Sequence, residues 1–209
     1  MSIVTISRGS YSHGKEVAEQ LARELGYDCV SREILLEASE VFSVPETTLV
    51  RAVHDAPSIL DRFTRGDERY VAFVRETLLR RAQKDNLVYH GLAGHFLLSE
   101  VPGVLKVRII ADIEDRVLEV MMREGVNAEK ARYAIKRDDE TRRGWSRHLY
   151  GIDTWDSDLY SMVLNIKTMA VPDAVGTILR AVQLPAFQTT SQTQEVMDSL
   201  LAETGTGKG

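Results

Sequence analysis

The chain has one cysteine, Cys29, five prolines, and few aromatic residues, 7% of the total. A lone thiol cannot build an internal disulfide framework, which excludes a small cystine-stapled scaffold and fits a reducing compartment. Cys29 itself reads as a small buried hydrophobe. An excess of positive charge is missing too: 26 Lys and Arg stand against 31 Asp and Glu, a net charge of -5. That balance argues against a general nucleic-acid binder, which needs a basic excess to neutralise several phosphates, whereas a small phosphorylated ligand needs only a local positive site. No apolar run approaches the length of a bilayer span. The opening Met-Ser-Ile-Val-Thr-Ile-Ser lacks the basic region and long apolar core of a secretion signal, so a cytoplasmic protein with no membrane partner is expected. What the chain does have is 209 residues, 44% of them hydrophobic and 27% charged, enough for one sizeable α/β core.

Residues 2–7 read as a short buried strand and 8–14 as a turn. Residues 15–25 read as a helix whose Val17, Leu21 and Leu25, flanked by Ala18 and Ala22, form one apolar stripe. Gly26 suits the C-cap, 27–30 a second short strand, and Ser31 the N-cap of a helix to about residue 41. From Pro45 to Gln83 the pattern is helical, with breaks near Pro57 and Gly66. Strands follow at 86–89, 104–110 and 162–166, with helices at 113–124 behind an Asp112 cap, at 128–143 and at 173–184. Alternating strands and helices imply a three-layer α/β/α fold with a parallel sheet. The stretch 185–209 is rich in Gln, Thr and Ser and reads as a flexible polar tail, available to link to a partner or a further domain. Within it Val196, Leu200 and Leu201 allow one short amphipathic helix. The closing Gly-Thr-Gly-Lys-Gly imitates a phosphate motif but follows no strand and precedes no helix.

Gly9, Ser10, Tyr11, Ser12, His13, Gly14 and Lys15 satisfy G-x-x-x-x-G-K, with a strand before them and an amphipathic helix after. Backbone N–H groups of such a loop and the helix N-terminus converge on phosphate oxygens, and the lysine ammonium reaches the β and γ phosphates. Glu16 stands where the pattern wants a hydroxyl for magnesium. It suits the helix dipole but repels phosphate unless it points away or holds the metal through water. The alternative is a plain strand-to-helix turn with a solvated Lys15.

I-S-R at 6–8, G-K-E-V-A at 14–18, S-R-E-I-L-L-E-A at 31–38, V-R-I-I-A-D-I-E-D-R at 107–116 and D-L-Y-S-M-V-L-N at 158–165 together resemble the cytidylate kinase-like family, a branch of the nucleoside monophosphate kinases. The resemblance spans about residues 1–184. It implies a P-loop core (1–41, 84–135 and 160–184), a helical monophosphate-binding lobe at 42–83 and a lid at about 136–150. It also implies ATP with magnesium, a nucleoside monophosphate acceptor, CMP or a related pyrimidine nucleotide, and an acceptor site at Ser31 and Arg32. Arg142 and Arg143 match the lid arginines, which with Lys15 form the expected catalytic set. Independently, Lys136, Arg137, Arg142, Arg143 and Arg147 make a dense basic run, suited to stabilising the charge of a transferring phosphoryl group. The competing reading is a solvated helix face paired with Asp138, Asp139 and Glu140 at helical spacing.

The pattern departs from the family at Tyr89-His90-Gly91-Leu92, where these kinases often carry an acid and an arginine. His90 and His95 lack the Cys, His or carboxylate company of a zinc site, so they read as packing or hydrogen-bonding residues and no transition metal is expected. Asp112, Asp138 and Asp139 remain candidates to orient magnesium or the acceptor, and Trp145 and Trp155 to pack the lid on the core or stack a base. Three functions stay open: phosphoryl transfer to a nucleoside monophosphate, a nucleotide-binding regulatory module with little turnover, and a kinase with another small acceptor.

Overall fold

The computed structural model describes residues 1–54 and 67–205. Five parallel strands, β1 (Ile3–Arg8), β2 (Asp28–Val30), β3 (Leu87–Tyr89), β4 (Leu105–Ile110) and β5 (Met162–Asn165), form one sheet in the order β2-β3-β1-β4-β5. The winding reverses beside β1. The carboxyl ends of β1, β3 and β4 therefore open onto the crevice where such sheets hold ligands.

Each face of the sheet has its own core, as a parallel sheet covered on both sides requires. On one face Val4, Ile6, Val88, Leu105, Val107 and Ile109 pack against α1 (Gly14–Leu25) and α8 (Val171–Val182). The stripe of Val17, Ala18, Leu21 and Ala22 is the buried side of α1, and Gly26, at a φ of 69°, ends it. On the other face Ile3, Val30 and Leu87 meet α2 (Glu33–Phe42), α3 (Glu46–His54), α4 (Asp67–Ala82) and α5 (Gly94–Leu97). Val74, Leu78 and Leu79 of α4 share that core with Ile3 and Leu87, which ties the helix to the sheet. The breaks expected near Pro57 and Gly66 lie outside the described residues. A third, smaller cluster of Val117, Val120, Ala131 and Ile135 joins α6 (Ile113–Glu124) to α7 (Ala128–Tyr150). Among the described residues no helix is long and apolar enough to cross a membrane.

Two expectations fail. The helix read as ending near Arg143 continues to Tyr150, so the proposed lid segment is the second half of α7. Gly144 costs a helix only about 1 kcal/mol against Ala, and burial of the next residue, Trp145, whose Nε1 donates to Ala52 O at 2.7 Å, carries the helix through it.

The segment read as a flexible polar tail is ordered through its described part, 185–205: it makes a 3-10 turn at Pro185–Phe187 and then α9 (Ser191–Gly205). Met197 and Leu200 join the core beneath α4. Its polar residues are bound in place. Thr189 Oγ1 donates to Asp85 at 2.9 Å, Met1 O accepts from Thr189 N, and Thr190 and Thr193 cap the helix start by reciprocal bonds.

Candidate active site

β1 stops at Arg8 and α1 starts at Gly14, so residues 9–13 must turn the chain through the crevice. Tyr11 and His13 do this at φ 57° and 59°, in the left-handed region that side chains other than glycine seldom occupy. Such alternation turns successive N–H groups to one side, the arrangement that receives phosphate oxygens. Ser10 and Ser12 are buried, and Ser12 Oγ closes the loop on Gly9 O at 2.9 Å. Gly14 is required by close approach, since a Cβ there would sit 2.6 Å from Arg8 Cβ.

Lys15 does not reach over this loop. Its Nζ lies 3.6 Å from Glu19 and its side chain is 65% exposed. Glu16 is held by His13 Nδ1, a residue of the loop itself, at 3.1 Å, so its carboxylate stays beside the loop.

The loop opens on a cleft of about 510 Å³, walled also by Lys15, Asp138 and Arg123. A larger cleft, about 1050 Å³, lies beyond the sheet edge, between the end of β2, the turn after β3 and the second half of α7. Arg8, Ser12 and Arg142 wall both, so the two clefts meet at these three residues. Arg142 reaches the junction from α7, donating from Nη1 to Arg8 O at 3.1 Å. Burial lowers the pKa of both guanidiniums, and for Arg8 the charge of Arg142 adds to the effect.

Its neighbour Arg143 is placed differently. It donates to Asp153 from Nε at 2.7 Å, lies over the Trp155 ring at 4.4 Å, and shares the carboxylate with Arg147. The hydrogen bond from Arg143 is the main reason the Asp153 carboxyl titrates well below the usual range. The expected pairing of the basic run with Asp138, Asp139 and Glu140 is therefore not what forms. Asp138 accepts from Ser10 Oγ at 3.0 Å, and Asp139 holds Arg116 through two bonds of 2.8 and 2.9 Å. Arg116 also donates from Nε to Ser10 O at 2.7 Å, which fixes α7 to the phosphate loop through α6. Trp145 packs α7 against α3, whereas Trp155 is exposed beneath Arg143.

Ser31 and Arg32 line the larger cleft at the end of β2. Ser31 is not the N-cap. Arg32 takes that position, and the Glu33 carboxylate accepts from its own backbone N–H and from Ser31 N at 2.8 Å, which in that order lower its pKa. Arg32 Nε donates to Glu46 on α3 at 2.7 Å.

The turn after β3 is shaped by Tyr89. Its ring is buried, its hydroxyl donates to Leu92 O at 3.0 Å, and a Cβ on Gly91 would collide with it at 2.3 Å. The positive charge missing at that turn arrives from β1, the neighbour of β3, and from β4 beyond it, as Arg8 and Arg108 both wall the cleft. His90 faces the same space, its pKa lowered by burial and then by Arg8. His95, bonded to Tyr160 Oη at 3.3 Å, is pushed down to about 3 by burial. Both imidazoles are neutral near pH 7. Among the described residues no three His, Cys, Asp or Glu side chains converge as a metal site. Asp112 caps α6 by accepting from Glu114 N at 2.9 Å and pairs with Lys167.

Arg8, Arg108 and Arg116 were not singled out by sequence. Only Arg116 had a legible signal, an arginine on the inner stripe of a helix beside Val117 and Val120.

Residues 3–168 match the cytidylate kinase-like family. A cytidylate kinase from Ignicoccus hospitalis is 27% identical over 181 residues, which cover 86% of this chain and 98% of that one. A cytidylate kinase from Thermococcus sibiricus is 32% identical over 103 residues, 49% of this chain and 52% of that one. Among solved structures, a protein from Eubacterium ventriosum superimposes with a TM-score of 0.68 at 22% identity, covering 87% of this chain and 97% of that one. A shikimate kinase from Bacteroides thetaiotaomicron gives 0.53 at 12% identity, covering 88% and 99%. At such identities the likeness is one of fold.

Proposed function

The chain belongs to the cytidylate kinase-like family, and on that premise we propose that it transfers the terminal phosphoryl group of ATP to a nucleoside monophosphate, CMP or a related pyrimidine nucleotide. Family and fold make it a phosphotransferase. The observation that carries the finer reading is the meeting of the two clefts at Arg8, Ser12 and Arg142. A donor bound on the phosphate loop and an acceptor bound beside Ser31 and Arg32 would present their phosphates to each other there.

In this reading the loop amides from Gly9 to Lys15 cradle the donor phosphates, and the Lys15 ammonium exchanges Glu19 for the β and γ oxygens. Residues 42–83 supply the acceptor lobe and 136–150 the lid. Arg142, joined by Arg143 once released from Asp153, neutralises the group in transfer. No general base is needed, because the acceptor phosphate is already anionic. When bound, magnesium supplies positive charge to the donor phosphates. Ser10 and Asp138, hard oxygen donors facing the loop, are the side chains that fit it. The acceptor's base rests on the naming of the relatives. The partners in this reading are small nucleotides, with no nucleic acid and no membrane, in the cytoplasm.

A second reading has one set of observations in its favour. Lys15 is turned to Glu19, Glu16 replaces the hydroxyl, and no acid or arginine follows Tyr89, as in a nucleotide sensor with little turnover. Calorimetric titration of ATP with magnesium into wild type and Lys15→Ala separates the two when paired with an ADP-release assay over CMP, UMP, dCMP, AMP and GMP. We expect Lys15→Ala to lose about tenfold or more in ATP affinity, and turnover to be fastest with CMP, on the scale of a binding contact worth about 1.4 kcal/mol or more. Lys15-dependent binding without turnover of any acceptor supports the sensor. No ATP binding overturns both.

A further inference from the structure

Three buried side-chain polar atoms among the described residues have no hydrogen-bond partner: Thr5 Oγ1, Arg8 Nε and His90 Nδ1. Arg8 and His90 stand together at the carboxyl ends of β1 and β3, close enough for the Arg8 charge to act on the imidazole, whereas Thr5 lies three residues earlier on β1, opposite Tyr89. Arg8 and His90 both wall the larger cleft, and Arg8 walls the smaller one as well. A native fold rarely leaves a buried polar group unmet, and a charged one least of all.

The charge around Arg8 is as unusual as its hydrogen bonding. Three other arginines of the cleft are answered by carboxylates, Arg32 by Glu46, Arg116 by Asp139 and Arg143 by Asp153, while Arg108 lies over the Tyr160 ring. No ion pair among the described residues involves Arg8 or Arg142. Yet the two guanidiniums approach each other closely enough for Arg142 to lower the Arg8 pKa. Two half-buried like charges side by side are unfavourable in the isolated protein and favourable around an anion.

We propose that Arg8 is a catalytic residue, contacting the phosphoryl group from the core side as it crosses between the clefts while Arg142 contacts it from α7. This rests on the transfer reading above. In the step concerned, an oxygen of the acceptor phosphate forms a bond to the γ phosphorus, and the bond from that phosphorus to the β–γ bridging oxygen breaks. The electron pair leaves on the β phosphate of ADP, no proton moves, and total charge is unchanged. Negative charge accumulates on the equatorial and bridging oxygens, and a guanidinium fork suits it.

Arg8 is well placed to act without moving. Its backbone is held in register opposite Ile109, and its side chain is packed where only a glycine fits at position 14. Preorganised charge of this kind stabilises a transition state without reorganisation at the moment of reaction. The residue supplies from β1 a cation that the turn after β3 lacks.

The test compares wild type with Arg8→Gln and Arg8→Lys by steady-state kinetics, ATP calorimetry and thermal unfolding. Because the side chain makes no hydrogen bond to any of the described residues, Arg8→Gln should unfold within a few degrees of wild type and bind ATP with magnesium within about threefold. Its kcat should fall by about 10²–10³, the scale of a lost transition-state donor, with partial recovery in Arg8→Lys. An unchanged kcat, or a loss accounted for by ATP affinity or unfolding, overturns the assignment.

A second readout does not require the acceptor to be known: ADP affinity with magnesium, measured with and without aluminium fluoride, a mimic of the phosphoryl group in flight. The assignment expects aluminium fluoride to tighten ADP binding in wild type and not in Arg8→Gln. An equal gain in both proteins, or none in wild type, overturns it even if no nucleoside monophosphate is turned over. Absence of turnover with an Arg8-dependent gain instead retires the proposed acceptor and keeps Arg8.

Discussion

The two clefts differ in how their charges are balanced. Of the described residues walling the smaller one, four carry positive charge and four negative, whereas seven positive side chains face two carboxylates in the larger. A balanced wall suits a polyanion that arrives with a divalent cation, since the metal supplies the missing positive charge and the carboxylates are tolerated or useful. An unbalanced wall suits a bare phosphate that brings no cation of its own. The contrast matches a donor with magnesium on the loop and an acceptor dianion beyond it, and it follows from the side chains alone.

Arg142 and Arg143 sharpen this contrast most, because neighbours in sequence are separated by structure. Among the described residues Arg142 forms no ion pair at the junction, with Asp138 and Asp139 acting on it only at longer range, while Arg143 is held by Asp153 and lies on Trp155. Truncating the first should cost kcat about 10³-fold, at the low end for an arginine acting on a transferring phosphoryl group. Truncating the second should cost much less, about tenfold, because any charge it brings to the reaction must first leave Asp153. Steady-state kinetics of Arg142→Ala and Arg143→Ala decide it. Equal losses would mean that the ligand-free pairing of Arg143 does not persist in the closed enzyme and that both arginines act together.

How far such a site is legible beforehand depends on the range of the interactions that make it. The strand, loop and helix from Ile3 to Leu25 are encoded locally, by an apolar run, two glycines and a stripe with helical period, and they stand where the sequence places them. The parallel sheet follows from the alternation of elements. Arg8 and Arg108 could not be found that way. Each is a single charged residue on a strand, and its role exists only because β1, β3 and β4 end together. The pairing of Arg143 with Asp153, ten residues on, likewise depends on where α7 ends. The segment after Pro185 misleads for the opposite reason. Its polar composition suggests a solvated tail, but those hydroxyls and amides are bound to backbone and caps while Met197 and Leu200 fill the core.

The larger cleft also differs from the smaller in carrying buried imidazole, and this has a consequence for stability against pH. His95 is pushed down to about 3 by burial, against an ordinary value near 6.5. Between those values the unfolded chain binds a proton there that the native protein refuses, so stability rises with pH across the window and is lost as pH falls below about 6.5. The depressed His90 acts in the same direction. Between pH 6.5 and 4.5 His95 alone should remove roughly 2 kcal/mol of unfolding free energy, measurable by urea titration. His95→Gln, which removes the titrating ring, should flatten that slope. A slope unchanged in the variant would place the acid sensitivity elsewhere in the fold.

The smallest expected effect tests the charge balance itself. Asp138 stands beside the phosphate loop, accepting from Ser10 Oγ, and it is one of the carboxylates that balance the smaller cleft. If that balance is meant for a donor carrying magnesium, the carboxylate should repel metal-free ATP more than the magnesium complex. Asp138→Asn should then tighten ATP binding about fivefold in a chelator, and change binding in saturating magnesium by no more than about twofold, since one screened charge near a surface is worth about 1 kcal/mol. A loss of affinity confined to the magnesium titration would go further and make Asp138 a partner of the metal. An equal gain in both titrations would break the comparison, because the acidic wall would then oppose the donor with or without magnesium, and the difference between the clefts would not distinguish donor from acceptor.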